Sequence, residues 1–180
     1  GENYDARKEM PGWTDTGFDD SAWDRARNVN DFAPTGKMTS MLLPPVRVTD
    51  RFNAVRCYKN RAGNYVFDVG KQIAGRVVLT AKAPEGTRIK IACGEKLDSD
   101  ENVVYWNVSD ESGLPQMDYY IFKGGEEESF APKYNYKGFR YVVVPGMPEG
   151  EEYALTEKNV IAERFYNDVE LTGHFQCSNG

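Results

Sequence analysis

Apolar and polar residues alternate with a period of two along much of this chain, the period of β-strands. Over residues 64–69, Tyr65, Phe67 and Val69 fall on one face. Over residues 76–82, Val77, Leu79 and Ala81 share a face, while Arg76, Thr80 and Lys82 take the other. Residues 87–95 repeat the pattern with Ile89, Ile91 and Cys93. Between the last two runs stands Pro84-Glu85-Gly86, a turn sequence, so residues 76–95 are predicted to form a hairpin. Further strands are predicted at 118–123, 139–144, 159–166 and 171–177. No long helical period occurs. Many short strands punctuated by Gly and Pro imply an all-β protein, a β-sandwich with jelly-roll-like connections.

The first 45 residues read differently. The stretch from Gly12 to Trp23 is polar and aromatic, and Asp19, Asp20 and Ser21 are good N-caps, so a short helical turn is predicted over residues 22–27. Trp13, Phe18 and Trp23 are expected to plug a neighbouring surface, because the segment is too short to form a core alone. Leu43-Pro44-Pro45-Val46 marks a boundary, since consecutive prolines force extended backbone. The expected organisation is a short extension over 1–45, a β-sandwich over 46–168 and a closing segment over 169–180. Glu126-Glu127-Glu128 is expected to be a solvated turn.

Composition narrows the partners. With 40% hydrophobic and 28% charged residues, the chain is ordinary for a globular domain. The aromatic share of 13% suits strands and sugar-facing surfaces alike. A net charge of -6 without a basic patch argues against nucleic acid and against anionic lipid headgroups. No apolar run is long enough to span a bilayer, and none of these residues reads as a signal peptide. The chain starts at Gly1 rather than Met, as expected of an excised piece or a processed product, so the address of a parent protein is not read from these residues. Cys57, Cys93 and Cys177 are far apart and form no CxxC pair, and His174 stands alone, so neither a metal site nor any cofactor is expected. Cys93 reads as an inert core thiol.

Three features carry candidate chemistry. Asp98, Asp100 and Asn102 open like a calcium-binding loop, but Val103 stands where a sharp-turn Gly belongs and Ser109 where a bidentate Glu belongs. A hydrated hairpin loop is the better reading. Tyr105 and Trp106 are adjacent, so on a strand they point to opposite faces; an exposed ring would contact either a sugar or a neighbouring domain. Glu95 shares parity with Ile89, Ile91 and Cys93 and is expected to point inward, where a lone carboxylate is costly. Arg140, which shares parity with Val142 and Val144, is the candidate partner for a structural ion pair, with a sugar contact as the functional alternative.

A succession of segments resembles the bacterial α-L-rhamnosidases. Gly1-Glu2-Asn3-Tyr4-Asp5-Ala6-Arg7, Gly12-Trp13 and Gly17-Phe18-Asp19-Asp20-Ser21-Ala22-Trp23 are similar to the end of that family's N-terminal β domain, and Pro44-Pro45-Val46-Arg47-Val48 to the strand that leaves it. Asp68-Val69-Gly70-Lys71-Gln72-Ile73-Ala74-Gly75 resembles the DxGQNxxG stretch, with Lys71-Gln72-Ile73 in place of the usual Gln-Asn pair. Gly94-Glu95-Lys96-Leu97-Asp98 resembles the GExLxxDG segment, with Glu101 at the usual turn glycine. Asp118-Tyr119-Tyr120, Pro132 and Tyr136-Lys137-Gly138-Phe139-Arg140-Tyr141-Val142 follow in order, Lys137 standing where His is common. Gly173-His174-Phe175-Gln176-Cys177-Ser178-Asn179 resembles the approach to the catalytic domain.

The resemblance implies a concanavalin-like sandwich beside an α/α barrel that holds the catalytic carboxylates further along the polypeptide. On that reading the chain contains no catalytic residue. Its partner is the catalytic domain of the same polypeptide, with a rhamnose-containing carbohydrate as a further candidate, and a periplasmic or secreted parent is left open. An accessory scaffold is expected first and a carbohydrate-binding module second. A binding module would show a solvent-facing aromatic cluster with polar neighbours, a scaffold one broad apolar patch. A structural domain of an unrelated secreted protein is disfavoured by the resemblance.

Overall fold

The computed structural model describes residues 1–29, 33–104 and 117–178. Nine strands carry the fold: β1 (Asn3–Asp5), β2 (Val46–Asn53), β3 (Arg56–Lys59), β4 (Tyr65–Ala81), β5 (Arg88–Gly94), β6 (Met117–Ile121), β7 (Glu128–Phe130), β8 (Lys137–Val144) and β9 (Val160–Asn167). They join in one curled sheet of order β1-β6-β5-β8-β4-β9-β2, with β3 and β7 also pairing to β4. All pairings are antiparallel except β1 with β6. Three short 3₁₀ turns are the helical content among the described residues. The protein is all-β, as the alternation predicts.

The long strand β4 organises the rest. The runs at 64–69 and 76–82 read as two strands in sequence, yet they form one strand of 17 residues. It pairs with β3 through Tyr65–Asp68, with β8 between Tyr65 and Gly75, with β9 through Gly75–Leu79 and with β7 through Leu79–Ala81. Its inward face behaves as the pattern requires. Tyr65, Phe67, Val69, Val77, Leu79 and Ala81 all enter the main core, where Ile89, Ile91 and Cys93 of β5 meet them. Phe122, Phe130, Phe139 and Tyr120 add the ring volume. A second, smaller cluster of Val66, Ala92, Val103 and Val143 lies on the other face, so part of β4 is buried on both sides.

Several expectations are corrected. The predicted hairpin over 76–95 does not form, because β8 lies between β4 and β5, and β5 is flanked by β8 and β6. The local turn is as read: the Thr87 N–H donates to the Pro84 carbonyl, and Gly86 takes φ +80°. The turn therefore lets the chain cross to another part of the curled sheet rather than fold back beside itself. The helical turn expected over 22–27 shortens to one hydrogen-bonded turn, in which the Trp23 N–H donates to the Asp20 carbonyl. The strand expected over 171–177 is exposed coil. Within the extension, β1 adds a strand to the sheet through β6.

The Glu126-Glu127-Glu128 run is also more than a solvated turn. Glu128 is buried. It accepts hydrogen bonds from the Tyr120 hydroxyl at 2.8 Å and from the backbone N–H groups of Lys123 at 3.1 Å and Gly124 at 2.8 Å. The carboxylate closes the turn between β6 and β7 and replaces its missing backbone partners. Burial, with Glu128 alongside, holds the Tyr120 hydroxyl's pKa well above the usual tyrosine value.

Gly75 is a tight point on β4, which there carries β8 on one edge and β9 on the other. A Cβ there would sit 1.8 Å from the Glu163 carbonyl oxygen. That contact is to backbone, so relief requires the two strands to separate. Gly75→Ala is expected to destabilise the fold by at least about 3 kcal/mol, the upper end of overpacking costs, whereas Gly36→Ala should stay within about 0.5 kcal/mol. No atom lies within 4 Å of a Cβ built at Gly36. Denaturant midpoints of the two variants check this.

Candidate functional site

The charged side chains sort into networks, each built by strand register. Asp118 on β6 and Lys137 at the start of β8 are both buried and meet at 2.6 Å. Lys137 also donates to Asn135 Oδ1, and Asp118 Oδ1 accepts from the Glu2 backbone N–H at 2.8 Å. The Glu2 carboxylate in turn accepts from the Tyr134 N–H at 2.6 Å and from Asn135 Nδ2 at 2.9 Å. The ion pair thus ties the start of the chain to β6 and β8. Glu163 on β9 is buried between two guanidiniums, Arg76 at 2.7 Å and Arg51 at 2.7 Å. Arg76 further donates to the Pro132 carbonyl at 3.1 Å.

The sequence pairs Glu95 with Arg140, and the structure gives Arg140 a different partner. Its guanidinium forks onto Asp68, with Nε to Oδ1 and Nη2 to Oδ2 both at 2.9 Å. The physical reason is a break in parity. On β8, Phe139 and Val142 both enter the main core, which leaves Arg140 and Tyr141 in sequence between them and both partly exposed. The register between β4 and β8 shifts at this point, so Ile73 pairs with Phe139 while Asp68 pairs with Tyr141. Counting back from Val144 and Val142 therefore places Arg140 on the wrong face. Glu95 lies one residue beyond the end of β5 and is half-buried rather than in the core. The bidentate bond to Arg140 holds the Asp68 carboxyl below the usual carboxylate range, and the Gly70 N–H adds to this.

The loop after Glu95 is a hairpin tip. Leu97 and Val103 form a bridge, and Asp98 Oδ1 accepts from the backbone N–H groups of Asp100 and Asn102, both at 2.9 Å. The Asp98 carboxylate is thereby turned onto its own loop. Glu101, at the position read as a turn glycine, takes a left-handed φ of +60°. No group of three metal-ligating side chains occurs among the described residues. Tyr105 and Trp106 lie outside the described residues. Burial pushes the Cys93 thiol up to about 12, in keeping with an inert core residue.

An open cleft of about 880 Å³ separates the N-terminal segment from β7 and the loop after it. Its floor is Tyr4 and Phe130, with ring centres 5.6 Å apart. One wall is the pair Trp13 and Trp23, 6.2 Å apart, and Tyr134 stands at the rim. Phe18 packs on Trp23 at 5.7 Å, so the three aromatic residues expected to plug a neighbouring surface cluster on one another.

Residues 58–166, which span β3 to β9, match the model of the bacterial α-L-rhamnosidase concanavalin-like domain. The chain belongs to the bacterial α-L-rhamnosidase family. Residues 1–50 match the α-L-rhamnosidase N-terminal domain. The α-L-rhamnosidase of Formosa agariphila is 30% identical over 182 residues, covering 99% of this chain and 18% of the relative. That of Streptomyces avermitilis is 34% identical over 148 residues, covering 82% of this chain and 14% of the relative. Two solved α-L-rhamnosidases have the same fold over this region. The enzyme from Dictyoglumus thermophilum superposes with a TM-score of 0.86 at 33% identity, covering 99% of this chain and 19% of that one. The Streptomyces avermitilis enzyme, complexed with L-rhamnose, gives 0.83 at 32% identity, covering 93% and 16%. This rhamnosidase-family chain thus spans less than one fifth of the length of these relatives.

Two stability experiments check the networks. Lys137→Met should destabilise by about 3–5 kcal/mol because it strands the buried Asp118, and Lys137→Met with Asp118→Leu should recover much of the loss. For Arg140, the sign follows from linkage. A carboxylate whose folded pKa is lowered stabilises the fold above its unfolded pKa of about 3.9, and that contribution disappears as pH falls through the folded value. Arg140→Met should therefore be less stable than wild type at pH 7, with the gap closing below about pH 4. Urea midpoints across that range measure the gap.

Proposed function

We propose that this chain is a non-catalytic accessory β-sandwich of an α-L-rhamnosidase, a glycoside hydrolase that releases terminal α-L-rhamnose, and that it supports and positions the catalytic domain of the same polypeptide. The carrying observation is coverage: the chain matches relatives named α-L-rhamnosidase along 82–99% of its length while spanning 14–19% of theirs. The chemistry supports this reading. Glycoside hydrolysis needs two carboxyl groups facing a sugar, separated by roughly 5–9.5 Å depending on mechanism. The buried carboxylates among the described residues are already engaged, Asp118 by Lys137, Glu163 by Arg51 and Arg76, and Glu128 by Tyr120 and backbone. Acids held by structural cations are poor proton donors and poor bases.

In this reading residues 1–45 are the tail of a preceding N-terminal β domain, 46–168 the sandwich and 169–180 the lead into the catalytic domain. The apolar side chains left outside the sandwich suit a docking role. Met38, Met41, Leu42, Leu43, Leu171 and Phe175 are all exposed, as expected of surfaces that meet other domains. The aromatic cleft favours a second role, contact with saccharide, because Trp13 and Trp23 stand open to solvent beside polar groups.

The test is hydrolysis of p-nitrophenyl α-L-rhamnopyranoside. The purified chain should release no p-nitrophenol above the rate in buffer. Release that scales with purified protein would overturn the accessory reading.

A further inference from the structure

The cleft walled by Trp13 and Trp23 has a charge pattern opposite to that of the molecule. The chain carries a net charge of -6, yet the charged side chains lining the cleft are Lys8, Lys123 and Lys133 against Glu2 and Glu9. Both carboxylates are committed. Glu9 accepts from the Tyr4 hydroxyl and from Lys123 Nζ, each at 2.8 Å. Glu2 accepts from the Tyr134 N–H and from Asn135. Lys123 is spent on Glu9, which leaves Lys8 and Lys133 without an ion pair among the described residues. The hydrogen bond from Lys123 holds the Glu9 carboxyl below its ordinary range, so it stays an acceptor at neutral pH.

We infer that this cleft binds a pyranose bearing a carboxylate or sulfate group. The inference rests on the saccharide reading of the cleft and gives it a ligand class. The walls are suited to a sugar ring. Trp13 and Trp23 are 56% and 44% exposed and Tyr134 is 89% exposed, so flat apolar faces are open to the C–H face of a pyranose. The buried Phe130 and the half-buried Tyr4 close the bottom. The hydroxyls of Thr14 and Ser129 and the remaining lone pairs of Glu9 provide hydrogen-bond partners for ring hydroxyls. A volume of about 880 Å³ holds more than one sugar residue and lies within the range of small-ligand sites. Lys8 and Lys133 supply what a neutral sugar has no use for, two ammonium groups outside any close ion pair, Lys133 near Glu9 and Lys8 near Asp5. An anion between them would gain charge-assisted hydrogen bonds at a rim that ordinary salt weakens but does not abolish.

The experiment titrates the 180-residue chain with three probes, trigalacturonate, a sulfated disaccharide and L-rhamnose, read by calorimetry and by tryptophan fluorescence. At least one anionic probe is expected to bind saturably, at least about tenfold more tightly than L-rhamnose, and more weakly as sodium chloride rises. The uronate and sulfate arms show which anion is preferred. Replacing both lysines, Lys8→Gln with Lys133→Gln, should cost about tenfold in affinity for the anion while leaving the thermal midpoint unchanged. Trp23→Ala should weaken all binding. Saturable binding of neither anion would overturn the inference. So would equal affinity for L-rhamnose, or double-lysine and Trp23→Ala variants that bind as wild type does. If L-rhamnose binds and the anions do not, the anionic class fails while saccharide contact stands. If no probe binds, both fail. Neither result bears on the accessory role, which the hydrolysis assay reads.

Discussion

The structure depends on one constraint: β4 must hydrogen-bond to four different strands along its length, with both edges paired at Tyr65–Asp68, Gly75 and Leu79. A strand of 17 residues flanked by four others cannot stay flat, because each pairing adds twist and the partners on either edge change midway. At the change-over Gly75 faces Lys137 on one side and Arg164 on the other, with no room for a side chain. The curl that results brings the inner faces of β4 and β5 onto one core although the two strands never pair. The extension, the aromatic cleft and the closing segment all hang from that frame.

Burial of charge follows from the same arrangement. Where the sheet curls, strands distant in sequence bring polar side chains into the interior, and each needs a partner because an unpaired buried charge is far more costly than a paired one. Asp118 with Lys137, Glu163 with two arginines and Glu128 with backbone donors are the three solutions. No buried side-chain nitrogen or oxygen among the described residues is left without a hydrogen bond. This fully satisfied interior differs from the cleft beside β7, where Lys8 and Lys133 make no close ion pair and three rings face solvent.

Departures from the family pattern show how local substitutions are absorbed. Lys137, standing where His is common, is buried and needs the full carboxylate of Asp118. Glu101, at a turn-glycine position, keeps the left-handed backbone that the turn demands, φ +60°, which an L side chain adopts only at a cost. The tip around it is held by Asp98 bonding back to two backbone N–H groups and by Asn60 reaching the Glu101 carbonyl at 3.4 Å. Hydrogen bonds from the surroundings thus maintain a conformation that the residue itself disfavours.

The sequence by itself determined the all-β class, the inward residues of β4 and β5, the inert Cys93, the turn at Pro84–Gly86 and the family. Each of these depends on neighbours a few residues apart or on short motifs, and a period of two is readable without knowing what lies opposite. What only the tertiary structure decided was the pairing of distant elements. The hairpin over 76–95 failed because β8, from 43 residues beyond β5, takes the place beside β4. The pairing of Glu95 with Arg140 failed because one phase slip on β8 moves Arg140 off the core face and within reach of Asp68. Glu128 looked solvated because its partners are backbone groups brought to it by the turn, which no residue type announces. Parity carries information only as far as a strand stays regular. A single bulge inverts every inference beyond it, and the position of a bulge is set by the strand across the ladder.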